Sequence, residues 1–231
     1  MQRDAHCTHE ALKQDASGTY DAPMSVAVTL KRFEFRRTSA ILRTPHRGAV
    51  LPALEAAVEG GFRIIECTLN TPGALQAIQV LSKDKELLVG AGTVLSVADA
   101  ELAAAAGARF LVSPVADADV ITWCVDNDIC VIPGTFSPKE MLEAHRLGAP
   151  IVKLFPGPPD GPSYVRTVLG PLPFLRIFPT SGVTLENAAQ YLAHGAFGVG
   201  FVNCLFQPED LEAGRFKAIR ERAAKMVAAV S

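Results

Sequence analysis

The sequence predicts an α/β protein that folds as a single (β/α)₈ (TIM) barrel with a flexible N-terminal extension. Three observations lead to this prediction: eight short apolar segments, Ala/Leu-rich helical segments between them, and glycines at the helix ends. Strands that alternate with helices form a parallel sheet, and eight such units close into a barrel. The length of 231 residues suits one domain of this type.

The helix ends are the clearest markers of the repeat. Gly61, Gly107, Gly148 and Gly195 each follow a helical segment and precede an apolar one. Glycine can adopt the left-handed conformation that closes a helix. These glycines are roughly 40–47 residues apart, which corresponds to two βα units per interval. Asn127 is predicted to end a further helix, because Asn also tolerates that conformation.

The eight predicted strands are apolar runs bounded by glycine, proline or polar turns. They are Ser39–Leu42, Arg63–Leu69, Leu87–Thr93, Phe110–Pro114, Cys130–Gly134, Ile151–Pro156, Arg176–Thr180 and Gly198–Asn203, and a last helix covers roughly Pro208 to Ala229. An open doubly wound sheet is the alternative. Gly90-Ala91-Gly92 would begin its dinucleotide-binding loop, but Leu95 stands at the third glycine position, which makes this alternative weak.

Residues 1–35 are predicted to form the extension, which we expect to be poorly ordered, and residues 36–231 the barrel. Residues 1–23 are polar, lack hydrophobic periodicity and mix both charge signs. They contain no apolar stretch of the kind that a secretory signal needs, and their acidic residues disfavour an organellar transit peptide. We therefore expect a cytoplasmic protein.

The composition excludes several classes of function. A formal net charge of −2 argues against a nucleic-acid-binding surface, and no apolar run is long enough to cross a membrane. The cysteines show no metal-ligand spacing, and we interpret them as core residues in a reducing compartment; they are Cys7, Cys67, Cys124, Cys130 and Cys204. The five histidines are scattered, so neither a metal site nor a cofactor is expected.

Lys153 is the first candidate for chemistry, because the active sites of barrels lie at the C-terminal ends of strands. Of the eight lysines, it alone lies inside an apolar strand. Burial penalises the ammonium form and lowers the pKa, and the free amine attacks a ketone to form an imine that acts as an electron sink. A side chain that reaches solvent at the strand end, or a buried ion pair, would explain the same position.

Glu66 is the second candidate, since it lies in the middle of the second predicted strand. Strand residues alternate between faces, so Ile64 and Thr68 share its side. A carboxylate there is costly unless it is paired or takes part in chemistry. We interpret Glu66 as the general acid/base of imine formation and carbon–carbon cleavage, or as a structural salt-bridge partner of Lys153.

Inward-facing positions near the strand ends add three candidates. Thr93 ends the third predicted strand, Pro114 ends the fourth, and Phe155 lies two residues beyond Lys153. All three fit positions at the top of the barrel, although ordinary packing would explain each one alone.

Six short motifs follow one another along the chain: Gly90-Ala91-Gly92-Thr93-Val94, Val112-Ser113-Pro114, Pro133-Gly134, Lys153-Leu154-Phe155-Pro156-Gly157, Gly161-Pro162 and Pro179-Thr180-Ser181-Gly182-Val183. Together they resemble the 2-keto-3-deoxy-6-phosphogluconate (KDPG) aldolase family. That family also includes 4-hydroxy-2-oxoglutarate (KHG) aldolase and the 6-phosphogalactonate enzyme. The resemblance covers about Ser39 to Leu211, and the ordered set is specific although each motif alone is weak.

The resemblance implies a class I aldolase that cleaves a 2-keto-3-deoxy sugar acid phosphate to pyruvate and glyceraldehyde 3-phosphate. It also implies a homotrimer that needs no metal. In this reading Lys153 forms the Schiff base and Glu66 is the acid/base. The residues that it implies for contact with the substrate are Arg43, Thr93, Pro114 and Phe155.

Three features depart from the family's pattern. Asn70 replaces the arginine that follows the Glu66 strand, as in the galactonate branch, and is a further candidate for substrate binding. The residues implied to bind the phosphate are Thr180, Ser181, Gly182 and Asn203. Ser181 stands where the family has glycine, and Val202-Asn203 replaces Gly-Ser. Side chains crowd a cradle of backbone N–H groups, so we predict weakened phosphate affinity or a substrate with a different tail.

Other functions compete with this one. The same imine would serve KHG cleavage or decarboxylation of oxaloacetate, or an aldolase for a galactonate-type or unphosphorylated substrate. A non-catalytic barrel that binds a sugar phosphate belongs to another class. An epimerase or a relative of thiamin-phosphate synthase shares the barrel but does not require a buried lysine on the sixth strand.

Overall fold

The computed structural model of the chain describes residues 25–230, which form a parallel α/β fold with helices packed outside the strands. The strands are β1 Thr38–Leu42, β2 Ile64–Thr68, β3 Leu88–Gly92, β4 Phe110–Val112, β5 Cys130–Ile132, β6 Gly134–Thr135, β7 Val152–Leu154, β8 Ile177–Pro179 and β9 Val199–Phe201. The helices are α1 Val26–Arg36, α2 Val50–Glu59, α3 Ala74–Leu81, α4 Val97–Ala105, α5 Ala118–Asp126, α6 Pro138–Arg146, α7 Pro162–Leu169, α8 Ala188–Ala193, α9 Pro208–Glu212 and α10 Phe216–Ala228, with a 3₁₀ turn at Arg47–Ala49. None of these helices in residues 25–230 is both long and apolar enough to cross a bilayer.

The strands form two parallel sheets that curl around one interior. One has the order β5-β4-β3-β2-β1-β9 and the other the order β6-β7-β8. The last strand therefore pairs with the first, and Thr38 lies opposite Val199. A doubly wound sheet reverses its strand order in the middle, and this order does not reverse. The fold is of the TIM type.

Strand alternation divides the apolar side chains into two cores. Ile64 packs in the interior with Phe110 and Phe178. Its neighbours Ile65 and Cys67 belong to the larger core between the strands and the helices. This alternation directs Glu66, two residues beyond Ile64, into the interior of the barrel.

A strand lies at each of the eight predicted positions, but the fifth is divided in two. Pro133 separates β5 from β6, because proline has no N–H to donate to a sheet. The four glycines predicted to end helices have positive φ: Gly61 at 109°, Gly107 at 104°, Gly148 at 101° and Gly195 at 95°. Helix α5 ends as predicted, with Asn127 as its C-cap, but Asp128 rather than Asn127 takes the left-handed conformation, with φ 52°.

Helix α1 corrects the predicted boundary at residue 35. It lies within the segment assigned to the disordered extension, and its Phe33 is fully buried. The Phe33 ring makes edge contacts with Phe110 and Phe178, with centroids 5.1 and 5.4 Å apart. The helix is ordered because it covers the interior core at the end opposite the strands' carboxyl ends. The rest of the predicted extension, residues 1–24, lies outside the described residues.

The last predicted helix is also divided. Gly214, with φ 64°, separates α9 from α10. Buried Asp210 accepts hydrogen bonds there from Arg215 at 2.6 Å and from Arg222 at 2.5 Å. Arg222 also donates to the Leu205 carbonyl at 2.5 Å. This ion-pair cluster fixes the segment that follows β9.

Candidate active site

A cavity of about 300 Å³ opens at the carboxyl ends of the strands. Its walls come from β1, β2 and β7 and from the segments that follow β7, β8 and β9. The lining residues are Ile41, Arg43, Glu66, Lys153, Phe155, Thr180, Ser181, Gly182, Val183, Thr184, Val202, Asn203 and Cys204. Eight of the residues predicted from the sequence are among them.

Lys153 lies in the wall of this cavity and is only 7% exposed. Its backbone is fixed on both sides: its N–H donates to the Pro133 carbonyl at 2.9 Å, and its carbonyl accepts from the Thr135 hydroxyl at 2.9 Å. Its Nζ lies 4.8 Å from the centre of the Phe155 ring. Burial lowers the pKa of Lys153, against the attraction of Glu66. The result is an amine that loses its proton more readily than a lysine in water.

Glu66 faces the same cavity and is 2% exposed. Burial raises the pKa of this carboxyl from 4.5 to about 7, although the positive charges of Lys153 and Arg43 oppose the shift. A carboxyl with a pKa near neutrality both accepts and returns a proton readily, which suits a general acid/base.

Lys153 and Glu66 do not form a direct ion pair. Within residues 25–230, Lys153 Nζ comes no closer than 4.0 Å to either Glu66 carboxylate oxygen. The structural salt bridge that the sequence left open is therefore absent from this part of the chain. The two groups face a shared space that can hold a small molecule.

Gly92 makes room for the Glu66 carboxyl. A Cβ placed on Gly92 would lie 1.9 Å from Glu66 Oε1 and 3.0 Å from Thr68 Cγ2. The carboxyl therefore rests against the bare backbone of β3. Any side chain at residue 92 must displace it.

We expect Gly92→Ala to lower kcat by roughly 10–100-fold, because a misplaced acid/base loses part of the gain from proton transfer. Steady-state kinetics, with circular dichroism as a test of folding, would measure this. Gly48→Ala is the matched control, since a Cβ there meets no atom within 4 Å. A fully active Gly92→Ala enzyme would contradict the assigned position of Glu66.

Arg43 reaches the cavity from the end of β1. Its guanidinium donates to the Thr93 hydroxyl at 3.5 Å. Thr93 has φ 58°, an unfavourable conformation for a β-branched residue that is found mainly at functional sites. The pair places a positive charge and a hydroxyl near Glu66 and Lys153.

The opposite wall of the cavity follows β8 and β9 and is polar but uncharged. Asn187 holds the first loop: its amide donates to the Gly182 carbonyl at 2.8 Å, and its Oδ1 accepts from the Thr184 N–H at 2.8 Å. The Cys204 thiol donates to the Val183 carbonyl at 3.1 Å. No acceptor in residues 25–230 takes the N–H groups of residues 181–183, which leaves them available to a ligand.

Three predicted residues do not line the cavity: Asn70, Thr93 and Pro114. Asn70 is exposed and lines a separate hollow on the segment after β2. Pro114 is half-buried, and its carbonyl packs against Gly134, where a Cβ would approach it to 2.2 Å. Thr93 reaches the site through Arg43. The structure brings neither Asn70 nor Pro114 to the cavity.

Sequence reasoning missed four lining residues, Ile41, Val183, Thr184 and Cys204, and it noted the fifth, Val202, only as crowding the phosphate loop. Ile41 had a signal, because it lies two residues before Arg43 on the same face of β1. Val183 and Thr184 directly follow the Thr180-Ser181-Gly182 motif. Cys204 was interpreted as a core residue, yet it lies half-buried in the cavity wall.

Within residues 25–230, no three His, Cys, Asp or Glu side chains are grouped as metal ligands. An amine of lowered pKa beside a carboxyl of raised pKa, at the carboxyl ends of barrel strands, is the arrangement that imine chemistry requires. The match to known proteins agrees with it. The family model for KDPG and KHG aldolases matches residues 31–221. The chain belongs to the KDPG and KHG aldolase family.

Individual relatives in the aldolase family span most of the chain. The 2-dehydro-3-deoxy-phosphogluconate aldolase of Pseudomonas aeruginosa is 36% identical over 159 residues, which are 68% of this chain and 72% of that protein. The probable 2-dehydro-3-deoxy-6-phosphogalactonate aldolase of Rhizobium meliloti is 36% identical over 177 residues, 75% of this chain and 82% of that protein. These two relatives, one named for each substrate, thus have the same sequence identity to this chain.

A solved aldolase structure matches the fold. The KDPG aldolase of Legionella pneumophila, with pyruvate captured as a covalent carbinolamine intermediate, superposes with a TM-score of 0.78. It is 28% identical, and the match covers 87% of this chain and 98% of the other.

Proposed function

We propose that this aldolase cleaves a 2-keto-3-deoxy-6-phospho sugar acid to pyruvate and glyceraldehyde 3-phosphate through an imine on Lys153. One observation carries the proposal: the Lys153 amine lies buried in a cavity wall that it shares with Glu66. The low exposure favours the uncharged amine, and the space between the two groups admits a keto acid. The names of the relatives support this substrate class.

Imine formation begins the reaction. The neutral Lys153 amine attacks C2 of the keto acid to give a carbinolamine, and loss of one water leaves the imine. Glu66 supplies the proton for the departing hydroxyl, because its pKa of about 7 allows the protonated form at neutral pH. Arg43 and Thr93 hold the substrate carboxylate, which brings C2 to the amine.

Carbon–carbon cleavage follows. The Glu66 carboxylate takes the proton of the C4 hydroxyl, the C3–C4 bond breaks, and its electron pair enters the imine to form an enamine while glyceraldehyde 3-phosphate leaves. Protonation at C3 restores an imine. One water then attacks C2 and releases pyruvate and the free amine, so the water lost earlier is recovered.

The remaining lining residues bind the rest of the substrate. Phe155, beside Lys153 Nζ, limits water at the reacting carbon. We assign the phosphate to the wall that contains Thr180, Ser181, Gly182 and Asn203, where backbone N–H groups are available. Asn70 and Pro114 lie too far from the wall for a direct contact in this arrangement, so a role for them requires movement of the loop after β2 or β4.

The larger architecture is part of the same proposal. We infer that the two sheets close into one eight-stranded barrel, supported by the Phe197 N–H that donates to the Ile177 carbonyl at 2.8 Å across their edges. We retain from the resemblance a homotrimer with small-molecule substrates and no bound metal or cofactor, and from the sequence a cytoplasmic location.

Galactonate-type keto acids and KHG are the second candidates. Asn70 occupies the position that separates the galactonate branch, and a relative named for the phosphogalactonate is as similar as one named for the phosphogluconate. The reacting groups at Lys153 and Glu66 would serve all of these acids equally.

Trapping the imine tests the proposed function. Incubation with pyruvate and borohydride should give a stable adduct that peptide mass spectrometry assigns to Lys153. The same protein, without pyruvate, is the control. If the protein stays unmodified, only a binding role remains for the cavity. If Lys153 is modified, turnover of a panel of keto-deoxy acids would then rank the substrates.

A further inference from the structure

We propose that the site also cleaves unphosphorylated 2-keto-3-deoxy sugar acids, because the wall that receives the substrate tail recognises hydroxyl groups as well as it recognises a phosphate. This inference rests on the proposed aldolase function and concerns its substrate range. We call the lining residues that follow β8 and β9, Thr180 to Thr184 and Val202 to Cys204, the tail wall. Four features support the proposal: the charge of the tail wall, its hydrogen-bonding groups, the neighbouring carboxylate and the bulk of Val202.

The positive charge of the cavity lies at the reacting end. Two of the lining residues that the structure describes are cationic: Arg43, which directly follows β1, and Lys153, which lies within β7. Arg43 is needed for the substrate carboxylate, and Lys153 provides the amine that reacts. No lysine or arginine of the described lining is therefore left to pair with a dianionic phosphate at the tail wall. The binding free energy that a charge-assisted hydrogen bond would contribute is missing there.

Arg222 binds the carbonyl of Leu205, the residue after Cys204 of this wall, but its guanidinium is committed to other partners. It donates to Asp210 at 2.5 Å, to the Gln207 side chain at 3.0 Å and to the Leu205 carbonyl at 2.5 Å. Its charge is balanced by Asp210, whose side chain is 5% exposed. The guanidinium therefore fixes the loop after β9 and is not free to bind a phosphate.

The groups that remain at the tail wall are neutral. Ser181 offers a hydroxyl, Asn203 offers an amide, and residues 181–183 offer backbone N–H groups. Hydroxyls and amides both donate and accept, so they satisfy the hydroxyl groups of a sugar tail as fully as the oxygens of a phosphate. The backbone N–H groups likewise donate to the oxygen of either a phosphate or a hydroxyl.

A negative charge follows this wall in the sequence: Glu186 is exposed, lies two residues beyond the lining residue Thr184 and does not itself line the cavity. The Thr184 side chain interacts with the Glu186 carboxylate and lowers its pKa, so Glu186 is charged at neutral pH. A carboxylate next to the tail position repels a phosphate and has no such effect on a neutral hydroxyl. Val202 adds a branched side chain to the same wall, and its bulk favours the smaller, unphosphorylated end.

Matched pairs of substrates test the proposal on the full chain. We expect kcat/KM for 2-keto-3-deoxygluconate and 2-keto-3-deoxygalactonate to lie within about tenfold of their 6-phosphorylated forms, since a site that depends on one polar group rejects analogues far more strongly. A larger preference for the phosphorylated acids would overturn the proposal, and so would cleavage of neither unphosphorylated acid. The borohydride adduct with pyruvate has no tail, so it reports the aldolase chemistry separately.

Two variants identify the cause. Glu186→Gln and Val202→Gly should each shift the preference toward the phosphorylated acid by at least about threefold, because they remove the repulsion or the bulk. Glu101→Gln, an exposed carboxylate on α4, is the matched control and should leave the ratio unchanged. An unchanged ratio in both test variants would contradict the assigned causes.

Discussion

Replacing Lys153 by methionine should abolish aldol cleavage, with a loss of at least about 10⁴-fold in kcat, because no other group in the cavity can form the imine. Methionine has nearly the same length and no charge, so it fits the buried position. Replacing a buried amine by an apolar side chain of similar size is expected to leave thermal stability unchanged or slightly higher. Steady-state kinetics and thermal unfolding would measure the two effects.

Lys139→Met is the matched control for this variant. Lys139 lies on α6, its side chain is 82% exposed, and its ion pair with Glu143 is 3.7 Å long. Such a surface pair contributes little to stability, and we expect full activity. The Lys153→Met protein should also give no adduct with pyruvate and borohydride. Adduct formation at another lysine would refute the assignment of the Schiff base.

Glu66→Gln should reduce kcat by about 10²–10⁴-fold, because the amide keeps the shape of the side chain but cannot exchange a proton. The Lys153 amine remains, so the borohydride adduct with pyruvate should still form. A variant that cleaves substrate at close to the normal rate would rule out Glu66 as the acid/base.

The same substitution should change how stability depends on pH. The Glu66 pKa is near 4.5 unfolded and about 7 folded, so folding takes up a proton between these pH values. The stabilisation is complete below pH 4.5 and is lost as the pH rises to about 7. Relative to the Glu66→Gln variant, the native protein should lose about 3 kcal/mol of its free energy of unfolding as the pH rises through this range. Denaturant unfolding at several pH values would measure the difference, and a constant difference would disprove the raised pKa.

Much of the fold could be predicted from local patterns. Apolar runs and the four helix-ending glycines depend on neighbouring residues, so they located a strand at each of the eight positions. The misplaced details have physical causes. Pro133 interrupts a strand because it lacks an N–H, and Gly214 interrupts the last helix. Helix α1 was missed because its Phe33 is stabilised by rings from β4 and β8 that are distant in the sequence.

The sequence by itself marked the two residues that we propose for the chemistry. A lysine and a glutamate inside apolar strands are costly to bury, so their positions alone marked Lys153 and Glu66, and strand alternation turned both inward. Only the tertiary structure decided their relative positions: Lys153 and Glu66 face one cavity without forming an ion pair. Gly92 makes room for the Glu66 carboxyl, and Arg43 reaches the same cavity. The tertiary structure also decided that Asn70 lies outside the cavity and Cys204 within it. The reason is that spacing along a strand fixes the direction of a side chain, whereas the distance between strands depends on how the whole sheet curls.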